Sequence, residues 1–131
     1  MNRRDKRFFQ IAKVISQMST HKRFKVGAVI AYKNKLISAG TNTDKSHPVQ
    51  KRYDKERGFK THHCCHAEVR AILNSKMSSL AGCTVYVFRE TRNNTLACSR
   101  PCPSCLKMIR DYGIKTICYT TCDGFCKEIL T

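Results

Sequence analysis

Four side chains in two short segments could build a metal-dependent hydrolytic centre. His66 and Glu68 stand two residues apart, and Cys102 and Cys105 stand three apart, directly after Pro101. One His and two Cys make three zinc ligands, and catalytic zinc sites keep three protein ligands and a fourth position for water. Glu68 could move protons to and from that water without binding the metal. One Zn²⁺ per chain is therefore the expected cofactor.

The spacing of these residues predicts that they open two helices. Pro101 suits the first position of a helix, where no backbone N–H bond is lost. Cys102 and Cys105 would then share one turn, and His66 would begin a second helix packed alongside. The positive ends of both helix dipoles would favour the thiolate form of cysteine, which is the form that binds zinc.

Hydrophobic periodicity predicts the helices and strands that position these residues. Apolar residues at helical spacing indicate helices, and runs rich in Val and Ile indicate strands. This pattern predicts an α/β fold with a mixed sheet of four or five strands and helices on both faces, in one domain spanning residues 1–131. In chain order the predicted elements are helix 4–18, strands 24–32 and 36–40, helix 66–74, strand 83–90, a helix from residue 101, strand 114–120 and helix 125–130.

The charge of the chain indicates a polyanionic partner. The formal net charge is +16, and residues 1–65 hold 16 Lys and Arg against 4 Asp and Glu. A positive field of this size attracts nucleic acid, although a basic surface also serves solubility alone.

Residues 41–61 are predicted to form a long polar loop that suits single-stranded nucleic acid. Aromatic rings can stack on bases while cations follow the phosphate backbone. An ordinary solvated loop is the alternative. The aromatic residues are Tyr53 and Phe59, and the basic ones are Lys45, Lys51, Arg52, Lys55, Arg57 and Lys60.

Neither a membrane span nor a secretory leader is expected, which favours a cytoplasmic protein. Nine cysteines without such a leader argue against a disulfide framework. Cys118, Cys122 and Cys126 recur every four residues, but no compact C-x-x-C pair supports a second zinc site. Cys118 is expected in a buried strand, and the other two in or near the terminal helix.

The joint pattern H-x-E and P-C-x-x-C resembles the signature of zinc-dependent base deaminases. Over nearly its whole length the chain resembles the cytidine deaminase-like superfamily. Residues 26–30 look like the first-strand motif of deoxycytidylate and tRNA adenosine deaminases, and His66 in place of Cys is similar to that branch. The long stretch between residues 90 and 100 is similar to small phage-type deaminases.

The resemblance implies a three-layer α-β-α cytidine deaminase-like fold and a set of site residues. By resemblance, Asn42 contacts the sugar, the backbone of Ala67 bonds to the base edge, and Val26 lines the base pocket. Arg70 stands where deoxycytidylate deaminases typically have Asn, and it completes the expected substrate-binding set. Glu68 would pass a proton from water to the ring nitrogen and then to the departing ammonia.

The substrate stays open at this point. Conversion of cytosine to uracil in single-stranded nucleic acid is the first expectation, from the charge and the basic loop. Deamination of free deoxycytidylate comes next, then adenosine deamination in tRNA. A non-catalytic, zinc-stabilised nucleic-acid-binding module is the alternative of another class. The expected partner is thus nucleic acid or a nucleotide and no membrane, and the resemblance adds association of copies into a homo-oligomer.

Overall fold

The computed structural model describes residues 1–21, 23–56, 58 and 65–131. Within these residues, no helix is both long enough and apolar enough to cross a membrane. The elements, in chain order, are α1 (Arg3–Ser16), β1 (Lys25–Tyr32), β2 (Lys35–Thr41), α2 (Pro48–Glu56), α3 (Ala67–Ser75), β3 (Thr84–Glu90), α4 (Pro103–Asp111), β4 (Thr116–Thr121) and β5 (Gly124–Ile129).

The five strands form one mixed sheet in the order β2-β1-β3-β4-β5. Only the β3–β4 pair is parallel, and the other three pairs are antiparallel. A parallel pair needs a crossover connection, and α4 provides it between β3 and β4. The sequence predicts a mixed sheet of four or five strands, and this prediction is confirmed, although the fifth strand, β5, lies where a helix is predicted.

Helix α1 covers one face of the sheet. Its residues Phe8, Phe9 and Ala12 recur at helical spacing, and they bury an apolar face against β1 and β3. Asn2 caps the helix, because its Oδ1 accepts a hydrogen bond of 2.7 Å from the backbone N–H of Asp5. Gly27 of β1 lies so close to α1 that a Cβ there would collide with the carbonyl oxygen of Ala12.

Helices α2, α3 and α4 cover the opposite face, which gives the expected three-layer α-β-α arrangement. Val69 and Ile72 of α3 join Met108 and Ile109 of α4 in an apolar cluster over β1, β3 and β4. Gly40 of β2 lets α3 pack backbone against backbone, because a Cβ at this position would lie 2.5 Å from the backbone nitrogen of Ala71.

Helix α2 lies where the sequence predicts a loop. The helix buries Gln50, Tyr53 and Asp54, whose spacing is helical although two of the three are polar. The buried face therefore has no apolar periodicity, which is the signal that the loop prediction lacked. Residues 57 and 59–61 of the predicted loop lie outside the described residues.

The prediction of a closing helix at residues 125–130 is wrong. Residues 124–129 form the edge strand β5, in which half-buried and exposed positions alternate. A two-residue turn at Cys122 and Asp123 joins it to β4, and so tight a turn connects antiparallel strands. Cys118 is buried in β4 as expected, but Cys126 lies in β5 and Cys122 in the exposed turn.

Candidate active site

The two sequence motifs meet because each lies at the start of a helix on the same face of the sheet. His66 is the N-cap residue of α3, and Cys102 is the N-cap residue of α4; both have extended backbone conformations and make no side-chain capping bond. Helix α4 begins at Pro103, two residues later than predicted, because Pro103 and not Pro101 occupies its first turn. Cys105 follows within that turn. The side chains of His66 and Cys102 therefore lie at the helix starts but do not cap them, which leaves both available for a metal.

His66, Cys102 and Cys105 lie in a geometry that fits one zinc ion. The Nδ1 atom of His66 is 3.3 Å from the Sγ atom of Cys105 and 3.5 Å from that of Cys102. Tetrahedral zinc with ordinary Zn–N and Zn–S bonds places nitrogen and sulfur ligands about 3.6 Å apart. All three ligand atoms lie within 4.8 Å of one another. These three residues are therefore positioned to bind one metal ion, through Nδ1 of the imidazole.

Of the three ligands, only Cys102 has a pKa that favours its metal-binding form. The hydrogen bond with Cys105, helped by the His66 ring and opposed by burial, lowers the pKa of Cys102 to about 4. The same hydrogen bond and burial raise the pKa of Cys105 well above its ordinary range. Burial lowers the pKa of His66, but its bond to Cys102 and the nearby charge of Glu68 outweigh burial and raise the pKa to about 9. Binding of a divalent cation would therefore displace protons from His66 and Cys105.

Helix α2 fixes the position of His66 through a hydrogen bond to its backbone. The backbone N–H of His66 donates a hydrogen bond of 3.1 Å to Oε1 of Gln50. Nε2 of Gln50 in turn donates to Oδ1 of Asp54, also at 3.1 Å, and both side chains are completely buried. Sequence reasoning missed this support, although two amide- or carboxyl-bearing residues four apart are a helical pair.

Glu68 is buried beside the metal ligands. Only 5% of its surface is exposed, and burial, the largest influence, raises the pKa of its carboxyl group. The carboxyl group also hydrogen-bonds with Cys105, which acts in the opposite direction. In the part of the chain that the structure describes, no Lys or Arg forms an ion pair with Glu68.

A pocket of about 210 Å³ opens directly in front of these residues. It brings together Val26, Asn42 and Ala67, three of the four residues expected to contact substrate. Arg70 is not among the described residues that line the pocket, and its Cβ instead lies against Gly40 of β2. The lining residues are Phe24, Val26, Asn42, His66, Ala67, Glu68, Arg89, Cys98, Ser99, Arg100 and Cys102.

Asn42 holds the wall of the pocket together. Its Oδ1 accepts hydrogen bonds from the hydroxyl of Ser19 at 2.6 Å and from the backbone N–H of Val26 at 2.9 Å. Its Nδ2 donates to the carbonyl oxygen of Phe24 at 3.0 Å. The amide therefore fixes the segment between α1 and β1 and keeps one further N–H for another acceptor.

Phe24, Arg89 and Arg100 are three of the pocket residues that sequence reasoning missed. The guanidinium of Arg89 lies 4.7 Å from the centre of the Phe24 ring, within the range of a cation–π contact. Arg100 binds Glu128 of β5 through two hydrogen bonds of 3.0 and 2.8 Å. The closeness of Arg100 to Cys102 in the sequence is the one signal that could have indicated it.

Comparison with known proteins gives a family for this arrangement. The family model described as the cytidine and deoxycytidylate deaminase zinc-binding region matches residues 2–121. An uncharacterized deaminase in the luxG 3' region of Aliivibrio fischeri is 35% identical over 113 residues, covering 86% of this chain and 69% of the relative. The deoxycytidylate deaminase of Homo sapiens is 28% identical over 119 residues, covering 86% and 61%. The chain thus spans about three fifths of the human relative.

Solved structures with the same fold include a phage enzyme. The dCMP deaminase of the cyanophage S-TIM5, in complex with dCMP and dUMP, has a TM-score of 0.64 and 26% identity, over 91% of this chain and 82% of that one. A cytidine deaminase from Burkholderia pseudomallei has a TM-score of 0.66 over 98% and 93% of the two chains, and at 17% identity it shows the fold alone. The cytidine deaminase-like fold expected from the sequence is confirmed.

Proposed function

Because the chain belongs to the cytidine and deoxycytidylate deaminase zinc-binding family of hydrolytic deaminases, we propose that it converts the cytosine of a free deoxycytidylate-type nucleotide to uracil and ammonia. One observation carries this proposal. A single pocket is lined by two of the three side chains placed for zinc, by the carboxyl-bearing residue Glu68, whose pKa is raised, and by Val26, Asn42 and Ala67. Water is the second substrate, and the amino group leaves as ammonia.

The proposed chemistry divides between the metal and the protein. Zinc held by His66, Cys102 and Cys105 would supply Lewis-acid activation of the water that attacks C4 of cytosine. Glu68 takes a proton from that water and delivers it to the ring nitrogen. It then takes the remaining proton from the hydroxyl group added at C4 and passes it to the departing amine, which leaves as ammonia. Each transfer needs a carboxyl group that gains and loses a proton easily. The raised pKa of Glu68 supports this role, because a carboxylate that binds a proton more readily is a better acceptor for a proton from water.

The walls of the pocket are proposed to orient the nucleotide. Ala67, next to Glu68, and Val26 both line the pocket. We assign the backbone of Ala67 to the base edge and Val26 to an apolar side of the base pocket. The remaining N–H of Asn42 can bond a sugar hydroxyl. Arg89 lines the same pocket and supplies positive charge for the phosphate of a nucleotide, whereas Arg100, which also lines it, is paired with Glu128. We assign no substrate contact to Arg70, which lies against β2.

Two observations favour a free nucleotide over single-stranded nucleic acid, which was the first expectation from the sequence. The similar proteins include deoxycytidylate deaminases and a phage enzyme solved with dCMP. In addition, Tyr53 is not available to stack on a base. Its ring is 4% exposed, and its hydroxyl donates a hydrogen bond of 2.8 Å to Asp111 of α4. The second aromatic of the basic stretch, Phe59, lies outside the described residues.

A substrate panel tests the proposal. The zinc-loaded protein is incubated with deoxycytidylate, cytidylate, an oligonucleotide that contains one dC, and tRNA, and uracil and hypoxanthine are measured. We expect deamination of deoxycytidylate, and none by Glu68→Gln at the same zinc content. Turnover of the oligonucleotide alone would support the nucleic-acid alternative, and hypoxanthine in tRNA would support adenosine deamination. Binding without any turnover would support the non-catalytic module.

A further inference from the structure

A second, larger cavity adjoins the active-site pocket. Its volume is about 320 Å³, and Phe24 lines both cavities. One wall is the segment between α1 and β1, and the other is the end of β3 with the turn that follows it. The lining residues are Ser16, Gln17, His21, Arg23, Phe24, Lys25, Glu90, Thr91, Arg92 and Asn94. The proposed deamination assigns no role to any of these residues, and only Phe24 also lines the active-site pocket. We call this space the basic cavity.

The side chains of the basic cavity leave a surplus of positive charge. Arg23, Lys25 and Arg92 line it, and Glu90 is the only acidic residue among the described ones that do. The carboxylate of Glu90 is already paired with Lys13 of α1, at 3.4 Å. Within the described residues, neither Arg23 nor Lys25 forms an ion pair. A concave surface with this charge concentrates anions.

Hydrogen bonds hold the backbone of Arg23 and Phe24 before any ligand binds. The Nδ1 atom of His21 accepts hydrogen bonds from the backbone N–H groups of Arg23 at 3.1 Å and Phe24 at 3.3 Å. Two residues earlier, the hydroxyl of Ser19 bonds both the carbonyl oxygen and Oδ1 of Asn42. Binding an anion therefore needs little ordering of this wall, which lowers the entropic cost of the complex.

The opposite wall is fixed as well. The backbone N–H of Thr91 donates to the carbonyl oxygen of Thr95 at 2.8 Å, and the two hydroxyl groups lie 2.6 Å apart. The N–H of Asn94 closes the turn by donating to the carbonyl oxygen of Thr91 at 3.0 Å. Arg92 is held within this turn, across the cavity from Arg23 and Lys25.

The basic cavity offers charge and not a stacking surface. The one aromatic ring shared with the active site, Phe24, already contacts the His21 ring at 4.4 Å and the Arg89 guanidinium at 4.7 Å. A nucleobase recognised by stacking needs a free ring face. A phosphate group needs only the cations that are present, which bind it through charge-assisted hydrogen bonds.

We propose that the basic cavity is a subsite for a second phosphate group of the substrate, beyond the single phosphate of a deoxycytidylate. This inference rests on the proposed function, because it takes the neighbouring pocket as the place of the cytosine nucleotide. A second phosphate can belong to a polyphosphate tail or to the next nucleotide of a strand. Both present the same chemistry to Arg23, Lys25 and Arg92.

A binding measurement without turnover tests the charge of the subsite. Inorganic tripolyphosphate is titrated into the zinc-loaded protein by calorimetry at two salt concentrations. The double variant Arg23→Ala/Lys25→Ala should bind it about tenfold more weakly, because two charge-assisted contacts are lost. The control Lys35→Ala/Lys115→Ala removes the same charge at the opposite end of the sheet, and it should stay within about twofold of the parent, since long-range charge effects are screened. Equal loss in both double variants would overturn the proposal.

Kinetics then identify the source of the phosphate. The kcat/KM values for deoxycytidine 5'-triphosphate and for a dC-containing dinucleotide are each divided by the value for deoxycytidylate. We expect one of these ratios to fall about tenfold in Arg23→Ala/Lys25→Ala and neither to change in the control. A fall for the triphosphate identifies a polyphosphate tail, and a fall for the dinucleotide identifies a neighbouring nucleotide. If neither ratio falls, the subsite is refuted while deoxycytidylate turnover still supports the proposed function. If no cytosine nucleotide is deaminated, the proposed function fails, and tripolyphosphate binding alone decides whether the cavity is an anion site.

Discussion

Two acidic side chains are buried on opposite faces of the same sheet, and their surroundings differ. Asp5 of α1 is 3% exposed and accepts a hydrogen bond of 2.6 Å from the hydroxyl of Tyr86 of β3. Lys127 of β5 lies 3.5 Å from its other oxygen. Glu68 of α3 is 5% exposed, and in the described chain no Lys or Arg pairs with it.

The difference indicates that Asp5 has a structural role and Glu68 a catalytic one. Asp5 ties α1 to two strands that are distant in sequence, so its burial is compensated by partners that are part of the fold. Burial of Glu68 instead raises its pKa, and holding a carboxyl group in that state costs stability that the packing of α3 must offset. Perturbed acids of this kind in a cleft are typical of functional sites. Four principal variants, with two further ones as controls for the first, are arranged from the largest expected effect to the smallest.

Removing the carboxyl group of Glu68 should abolish turnover and leave the fold intact. For Glu68→Gln we expect kcat to fall about 10³-fold, since general acid–base groups contribute rates of that order. The zinc content should stay at one per chain, measured by atomic emission, because Glu68 is not proposed as a ligand.

Two further variants bracket that result. Cys102→Ala should lose both zinc and stability, because it removes a ligand. Asp5→Asn should retain kcat within a few-fold, because Asp5 lies on the other face of the sheet. Loss of zinc from Glu68→Gln would contradict the assigned role of Glu68.

Asp5→Ala should have the opposite profile, with stability lost and metal retained. The change leaves the Tyr86 hydroxyl without its acceptor and Lys127 without its pair, and we expect the free energy of unfolding to fall by about 2–3 kcal/mol. Urea denaturation of the zinc-loaded protein measures this value, with Glu68→Gln as the matched variant on the other face. A larger loss of stability in Glu68→Gln than in Asp5→Ala would reverse the comparison.

Gln50→Met should weaken zinc binding without unfolding the protein. The variant keeps the volume of the buried side chain but removes the acceptor of the His66 backbone N–H. Groups that orient a metal ligand typically contribute 10- to 100-fold in affinity, and we expect about tenfold here. Competition with a chelator measures the affinity. Unchanged zinc affinity would show that α2 does not position His66.

Tyr86→Phe should have the smallest effect, and it should depend on pH. Burial, helped by the hydrogen bond to Asp5, raises the pKa of Tyr86 well above its unfolded value of 10.0. Stability from this hydroxyl is therefore fully present below pH 10 and is lost as the pH rises towards the folded-state pKa. We expect Tyr86→Phe to be about 1 kcal/mol less stable at pH 8 and the gap to narrow above pH 10, measured by urea denaturation. A constant gap across this range would contradict the linkage.

The parts of the structure that the sequence predicts are those in which residue type and short spacing carry the information. Zinc ligation by His66, Cys102 and Cys105 follows from their side-chain chemistry, and the apolar period of α1 and α3 identifies both helices. Helix α2 escaped prediction because its buried face includes Gln50 and Asp54, which packing and hydrogen bonds make acceptable only in the folded chain.

Strand β5 and the contact between Phe24 and Arg89 in the active-site pocket show what could not be predicted from the sequence. The edge strand is too short and too exposed for its alternation to stand out. In addition, Cys118, Cys122 and Cys126, which lie in β4, the turn and β5, recur at a helical interval. Phe24 and Arg89 are 65 positions apart and meet only through the pairing of β1 with β3. Such a contact depends on strand register, which a single sequence does not reveal.

The missing side chain at Gly40 has a consequence for how this active site can evolve. Helix α3 packs directly against β2 at that glycine. We expect one added methyl group to push α3 away from the strand. This would move His66, at the start of α3, away from the sulfur atoms of Cys102 and Cys105. A mutation at Gly40, which does not line the pocket, would thus reduce the affinity for zinc. We therefore expect Gly40 to be replaced less often among related proteins than many residues that line the pocket.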